Sequence, residues 1–212
     1  MSEHDPQLAA ARADLCRFLS ACYYEPGPEF TEENLFGSML DAASRIHPDL
    51  AAHARRLGEA FLADDTQTLL VDYTRLFLGP INPRAKPYGS FWLSGEATLM
   101  QPSSVDVLAL YEQGGFEIDA EFRELPDHVA VELEFLYLLI FKQDQARRAG
   151  GLDESAAVEA LTQRFLARHL GVWIGRFGAA VAAGAETAFY RELAAFTERF
   201  VRMEEAGAGR VH

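Results

Sequence analysis

The sequence predicts an all-α fold, a single globular domain of about eight to ten helices, and three observations carry that reading. Apolar residues recur at three-and-four spacing along most of the chain, no segment sustains the strict alternation of a half-buried strand, and the apolar runs are separated by short breaks rich in Gly, Pro and Asp. With 212 residues, 49% of them hydrophobic, the chain is long enough for one sizeable core, and no Gly/Ser-rich linker divides it. The expected division is a helical domain over 1–204 followed by a disordered tail over 205–212.

Asp5-Pro6 reads as a helix start, after which Leu8, Leu15, Phe18, Leu19 and Cys22 form an apolar stripe that should end at Tyr24, before Glu25-Pro26-Gly27-Pro28. Cys16 and Cys22 are the only cysteines; six residues apart they fall on different sides of that helix and read as buried thiols. Thr31 is expected to cap a second helix, with Glu32 and Glu33 at its positive end and Leu35, Phe36, Met39 and Leu40 inward. A third starts near Pro48 and presents Leu50, Leu57 and Phe61. A fourth runs from Asp65 or Thr66 through Leu69, Leu70, Tyr73, Leu76 and Phe77 to Gly79-Pro80.

Residues 79–94, GPINPRAKPYGSFWLS, hold three prolines among aromatics and read as an ordered or functional loop, neither helix nor central strand. Ser103 with Asp106 resembles a capping box for a helix that buries Val105, Leu108 and Tyr111 and stops at Gly114-Gly115. The stretch 124–141, ELPDHVAVELEFLYLLIF, is a long core helix whose stripe is Val129, Leu133, Leu136 and Ile140. Its start, Pro126-Asp127-His128, reads as an exposed polar end with Asp127 as N-cap. Gly150-Gly151 then turns the chain, Asp153 caps a helix carrying Val158, Leu161, Phe165 and His169, another covers 172–183, and a last one buries Phe189, Leu193, Phe196 and Phe200.

Composition excludes several functions. Nineteen basic against 32 acidic residues leave a net charge of −13, which repels nucleic acid and anionic membranes and favours a basic partner. No apolar run approaches the ~20 residues of a membrane span, and MSEHDPQLAA lacks the basic and apolar regions of a secretory signal, so a cytoplasmic protein is expected. Lys86 and Lys142 are the only lysines and neither follows a phosphate-cradling glycine loop; G-x-G-x-x-G, H-E-x-x-H, C-x-x-C and G-x-S-x-G are all absent. Neither cofactor, metal nor catalytic nucleophile is expected.

The remaining candidates are Asp127, His128, Glu132 and Glu134. They admit an architectural reading, in which Asp127 caps the helix and Glu132 neutralises His128 four residues earlier. They also admit a recognition site built with the neighbouring aromatic loop. A third reading, His128, Glu132 and Glu124 as metal ligands or an acid/base set, lacks the second Glu-x-x-His motif that such bundles use. Tyr88, Phe91 and Trp92 either plug the core beneath the loop or line an apolar groove for a peptide.

The ordered set Tyr73-Thr74-Arg75-Leu76-Phe77-Leu78-Gly79-Pro80, Pro87-Tyr88-Gly89-Ser90-Phe91-Trp92, Tyr111 before Gly114-Gly115-Phe116, and Glu124-Leu125-Pro126-Asp127-His128 running into Glu132-Leu133-Glu134-Phe135 resembles the TorD/DmsD family of redox-enzyme maturation chaperones. His169-Leu170 before Trp173 and Phe189-Tyr190 extend the match more weakly. The resemblance implies a cytoplasmic, non-enzymatic chaperone that binds the twin-arginine signal peptide, and often the body, of an apo-molybdenum oxidoreductase until its molybdopterin cofactor is inserted. It further implies a peptide-binding site of Asp127, His128, Pro126, Glu124 and Glu132 with Tyr88, Trp92 and Pro87 from the loop. A NarJ-type chaperone of a non-exported subunit is the alternative. Members occur as monomers or domain-swapped dimers, and the 79–94 and 114–124 connections are long enough to serve as hinges. Arg84 and Lys86 depart from what a receptor for an arginine pair would carry.

Overall fold

Asp5 starts the first helix as its sequence suggests: in the computed structural model, which describes residues 5–79, 83–94, 102–118 and 124–208, its carboxylate accepts the N–H groups of Gln7 at 2.9 Å and Leu8 at 3.3 Å. Helix α1 (Pro6–Ala21) buries Leu15, Cys16 and Leu19, while Leu8 at its open end remains exposed. Both cysteines are buried and free. Thr31 does not cap the second helix. Pro28 instead starts a single turn, α2 (Glu29–Glu32), and Asn34, at φ 51°, breaks it with the left-handed conformation that asparagine tolerates, so that α3 (Leu35–Ile46) begins afresh.

Helix α4 (Pro48–Ala63) is capped by the His47 ring, which accepts the Asp49 N–H, and α5 (Thr66–Tyr73) by Asp65, which accepts the Thr68 N–H at 2.7 Å. Helix α5 runs into a π-helical turn, Thr74–Leu78, closed by Gly79 N–H donating to the Thr74 carbonyl. This wider turn lets the adjacent side chains Leu76 and Phe77 both enter the core. The proline-rich stretch is not loop throughout: past its last proline it winds into α6 (Gly89–Ser94).

Helix α7 (Pro102–Gly114) buries Val107, Leu110 and Tyr111, and exposes the expected core residues Val105 and Leu108; the side chain of Ser103 lies outside the described residues. Gly115, at φ 63°, ends it, the next N–H returning to the Tyr111 carbonyl. Helices α8 (Val129–Arg148), α9 (Leu152–Arg168), α10 (Leu170–Gly184) and α11 (Ala188–Ala208) complete the chain. Asp153 lies in the first turn of α9, whose N-cap is Gly151, and α11 continues through Glu205 to Ala208. Setting aside the four-residue α2 and six-residue α6, nine longer helices remain among the described residues, as the periodicity predicts.

Helix α8 lies between α1 and α9, α11 packs on α4 and α10, and α3 joins α1 to α4. Their shared core includes Leu19, Leu133, Phe135, Phe165, Trp173, Phe177 and Phe200. Polar clasps between residues distant in sequence also cross it. The Arg12 guanidinium binds the buried Glu204 carboxylate, tying α1 to α11. Asp72, 2% exposed, accepts the N–H groups of Glu186 and Thr187, the Thr187 hydroxyl and an Arg75 N–H, and so fixes the start of α11. Burial acts to raise the Asp72 pKa, but Arg75 and those N–H donors outweigh it and leave it below the usual carboxylate range.

Candidate functional site

Two irregular segments that are distant in sequence meet at the start of α8. Val129 N–H donates to the Pro87 carbonyl and Gly89 N–H to the Asp127 carbonyl, both at 2.8 Å, making an antiparallel bridge between Tyr88 and His128. The turn carrying Asp127 is closed by His128 N–H on the Leu125 carbonyl and held from α7 by the Tyr111 hydroxyl on the Pro126 carbonyl at 2.7 Å. Asp127 is therefore inside the junction and only 1% exposed; its carboxylate accepts the Ser90 N–H at 2.7 Å and starts α6, not α8. The exposed polar end suggested by the residue pattern is buried at both Asp127 and His128 because the loop closes over them.

The N-cap of α8 is His128, whose Nδ1 accepts the Ala130 N–H at 3.2 Å. An acceptor at Nδ1 requires the neutral ring to carry its proton on Nε2, which has no hydrogen-bond partner among the described residues. The ring stacks on Tyr24 at 6.1 Å and meets the edge of Tyr88 at 5.4 Å. Burial lowers its pKa to about 4, against the opposing pull of Glu124 and Asp127, so His128 is neutral at physiological pH.

Glu132 does not pair with His128. It is fully buried and turned toward α10, where its Oε2 accepts the Trp173 Nε1–H at 3.1 Å. Burial pushes its carboxyl well up, an effect only partly offset by the Trp173 donor. Gly89 fits into this junction because a Cβ there would lie 2.8 Å from Trp173 Nε1 and 3.0 Å from Glu132 Oε1. Pro87 is buried as well. Trp92 faces α10: its Nε1–H donates to the Lys86 carbonyl, its ring lies edge-on to Phe177, and Arg176 donates to its carbonyl. The loop aromatics thus divide, Trp92 packing against the core and Tyr88 staying at the rim.

That rim is built from acids and phenols. The Tyr88 hydroxyl donates to Glu124 Oε2 at 2.7 Å, and Glu134 Oε1 accepts from Ser20 at 2.9 Å and from Tyr24 at 3.2 Å. Tyr24, Tyr73 and Tyr88 all have raised phenol pKa values, through burial first and then through neighbouring carboxylates; Tyr73, near Glu124 and Glu25, reaches about 12. Half-buried carboxylates beside aromatic faces suit a guanidinium, which takes bidentate hydrogen bonds in its plane and stacks over rings. No group of three or more His, Cys, Asp or Glu among the described residues is arranged to hold a metal ion.

A family model described as the nitrate reductase delta subunit matches residues 43–179. A TorD chaperone of Photobacterium profundum is 32% identical over 175 residues, covering 81% of this chain and 78% of that one. The chain belongs to the TorD family. Another TorD chaperone, from Shewanella loihica, is 28% identical over 180 residues, covering 82% of this chain and 78% of its own. A perchlorate reductase assembly chaperone of Dechloromonas aromatica is 37% identical over 97 residues, 46% of this chain and 42% of that one. The fold is shared with a redox enzyme maturation protein from Archaeoglobus fulgidus, at TM-score 0.55 and 21% identity over 90% of this chain and 93% of that one.

The matched TorD-family region contains Tyr88, Glu124, Asp127 and His128, but not Tyr24 or Glu25. Tyr24 is a rim residue that motif reading passes over, and Glu134, one of its four polar candidates, is missing from the peptide site that the family resemblance implies. Their only sequence signals are the Tyr23-Tyr24 pair ending the first helix and the second acid of Glu132-Leu133-Glu134. In this TorD-family chain no described helix is long and apolar enough to cross a membrane.

Proposed function

We propose that this TorD-family chain is a cytoplasmic chaperone that binds the twin-arginine signal peptide of a molybdopterin-dependent oxidoreductase, or its apo-enzyme, until cofactor insertion is complete. The observation that carries the reading is the acid–tyrosine rim around a neutral histidine. An incoming guanidinium displaces the Tyr88 hydroxyl from Glu124 and spans that carboxylate bidentately, with Tyr88 and Tyr24 supplying ring faces. His128, neutral with its proton on Nε2, donates to a backbone carbonyl of the peptide; it does not repel the arginine. Pro126 shapes the turn at the rim. Asp127, Glu132 and Pro87 act from within, by holding Ser90, Trp173 and Val129 so that the two segments stay joined. Trp92 serves as the packed floor of the loop.

Calorimetry with a synthetic twin-arginine peptide tests this. Glu124→Gln should weaken binding by about 10-fold or more, as expected for loss of a charged hydrogen bond, and a twin-lysine peptide should bind more weakly than the arginine form. Affinity that is indifferent to both changes removes the rim from the site.

The family model's description and the perchlorate reductase assembly chaperone favour a second reading, a NarJ-type chaperone of a non-exported catalytic subunit. In that case the isolated signal peptide shows no binding while the apo-subunit binds.

A further inference from the structure

Arg84 and Lys86 are not explained by a receptor for arginine, and together with Arg176 they form an edge of their own. Arg84 runs beside Gly184, where an added Cβ would stand 2.9 Å from the Arg84 Cβ, and the Trp92 carbonyl receives the Arg176 N–H at 2.7 Å. The stretch 84–92 therefore travels along α10 from its C-terminal end back to Arg176. At 1.5 Å per residue this edge is about 12 Å long. Lys86 lies within it, its ammonium 4.5 Å from the centre of the Phe91 ring.

In a chain of net charge −13, arginines such as Arg12, Arg75 and Arg147 meet carboxylates. Arg84, Lys86 and Arg176 have no ion-pair partner among the described residues. Stabilisation of the α10 C-terminus accounts for Arg75 and Arg191, which donate to the Gly184 and Ala185 carbonyls, but not for Arg176 in mid-helix or for Lys86 over an aromatic ring. Phe91 itself is half-buried and is not part of the core cluster; its ring contacts among the described residues are Trp92 and Lys86.

We propose that Arg84, Lys86 and Arg176, with Phe91 between them, form a second docking surface that takes an acidic segment of the partner protein carrying an apolar side chain to cover Phe91. The assignment of the partner as a protein rests on the chaperone reading. Charge complementarity selects an acidic occupant, and the backbone argues against a phosphate ligand. The N–H groups at the start of α6 are already used, Gly89 by the Asp127 carbonyl, Ser90 by the Asp127 carboxylate and Phe91 by the Tyr88 carbonyl, so no cradle of free N–H donors is present there. A peptide instead offers carboxylates to the unused N–H donors of Arg84, Lys86 and Arg176, and an apolar group to Phe91.

The test uses the full chain and a short fluorescein-labelled peptide in which Glu alternates with Leu and Phe, followed by anisotropy at low and physiological salt. The triple variant R84Q/K86Q/R176Q should bind it about 10-fold more weakly with a shallower salt dependence, and Phe91→Ala should weaken it without changing that dependence. The single variants Arg84→Gln and Lys86→Gln, which should each show part of the loss, keep the test valid if the triple variant misfolds by circular dichroism. Equal binding of the acidic peptide to wild type and variants overturns the proposal. So does binding of inorganic triphosphate that the triple variant abolishes while the acidic peptide is ignored, which assigns the edge to phosphate. Twin-arginine peptide affinity, read in parallel, should be unchanged in the triple variant. If that peptide fails to bind wild type while the acidic peptide binds with the expected variant losses, the docking surface stands and the signal-peptide reading falls.

Discussion

Replacing Gly89 by Ala adds one methyl group where the junction of the two segments is tightest, and the outcome can be worked from distances. The new Cβ would stand 2.8 Å from Trp173 Nε1, 3.1 Å from its Cε2 and 3.0 Å from Glu132 Oε1. Trp173 is fully buried against Phe177, so the ring cannot swing away as a surface side chain would. Overpacking of this kind costs about 1–3 kcal/mol. Displacing the indole also lengthens its 3.1 Å bond to Glu132, exposing two buried polar groups to a further loss of about 1–3 kcal/mol. Against this, alanine is favoured over glycine in a helix by about 0.5–1 kcal/mol. The net is a destabilisation near ~3 kcal/mol, or a Tm lower by about 6–12 °C for a chain of this size. Urea unfolding followed by tryptophan fluorescence and circular dichroism measures it. A Trp173→Phe background, which removes the Nε1 obstacle, should recover at least ~1 kcal/mol of the Gly89→Ala loss in a double-mutant cycle. Stability unchanged within ~0.5 kcal/mol, or strict additivity with Trp173→Phe, would refute the packing argument.

The His128 pKa is depressed to about 4, below its unfolded value near 6.5, so the unfolded chain takes up the proton first: stability is full above pH ~6.5 and falls as pH drops toward 4. His128→Asn keeps a capping acceptor for the Ala130 N–H and should flatten that slope in pH-dependent urea melts; an unaltered slope would show that another group is responsible. Glu132 has the opposite sign: its folded pKa is raised, so its contribution is complete below the unfolded value near 4.5 and declines as pH rises toward the folded one. Glu132→Gln should therefore gain on wild type in thermal melts as pH rises above about 4.5, and a difference that stays constant with pH contradicts the raised carboxyl pKa. Asp72→Ala strips the cap from α11 and should cost about 2–4 kcal/mol by urea unfolding, with losses under ~0.5 kcal/mol ruling out the clasp.

How much of this was legible beforehand differs from residue to residue. The starts at Asp5-Pro6, Pro48 and Asp65 were readable because a cap acts on N–H groups two or three residues away. The break at Asn34 was missed because asparagine enters the left-handed region only when flanking helices require it. In α7 two of the three expected core residues, Val105 and Leu108, stand two positions before the buried Val107 and Leu110, since apolar residues fall on both faces of this short segment and packing against α6, α8 and α9 selects between them. The proline count concealed α6, which begins only after the last proline and depends on Asp127 to receive its Ser90 N–H.

At the start of α8 the residues that come together were legible and their contacts were not. The pattern from Glu124 to Glu134, with Pro87-Tyr88-Gly89-Ser90 before it, contains most of the groups that meet at the start of α8. Residue identity and helical spacing determine which faces are apolar, which ends can be capped, and that the chain must form helices around one core. They cannot determine that Asp127 serves α6 while His128 caps α8, or that Glu132 turns to Trp173. Those partners lie 37 residues apart for Asp127 and Ser90 and 41 for Glu132 and Trp173. A polar group chooses among possible partners by where packing leaves it buried, because an unpaired buried group is costlier than any local preference is favourable. That choice is made when α8, α10 and the 83–94 segment close on one another.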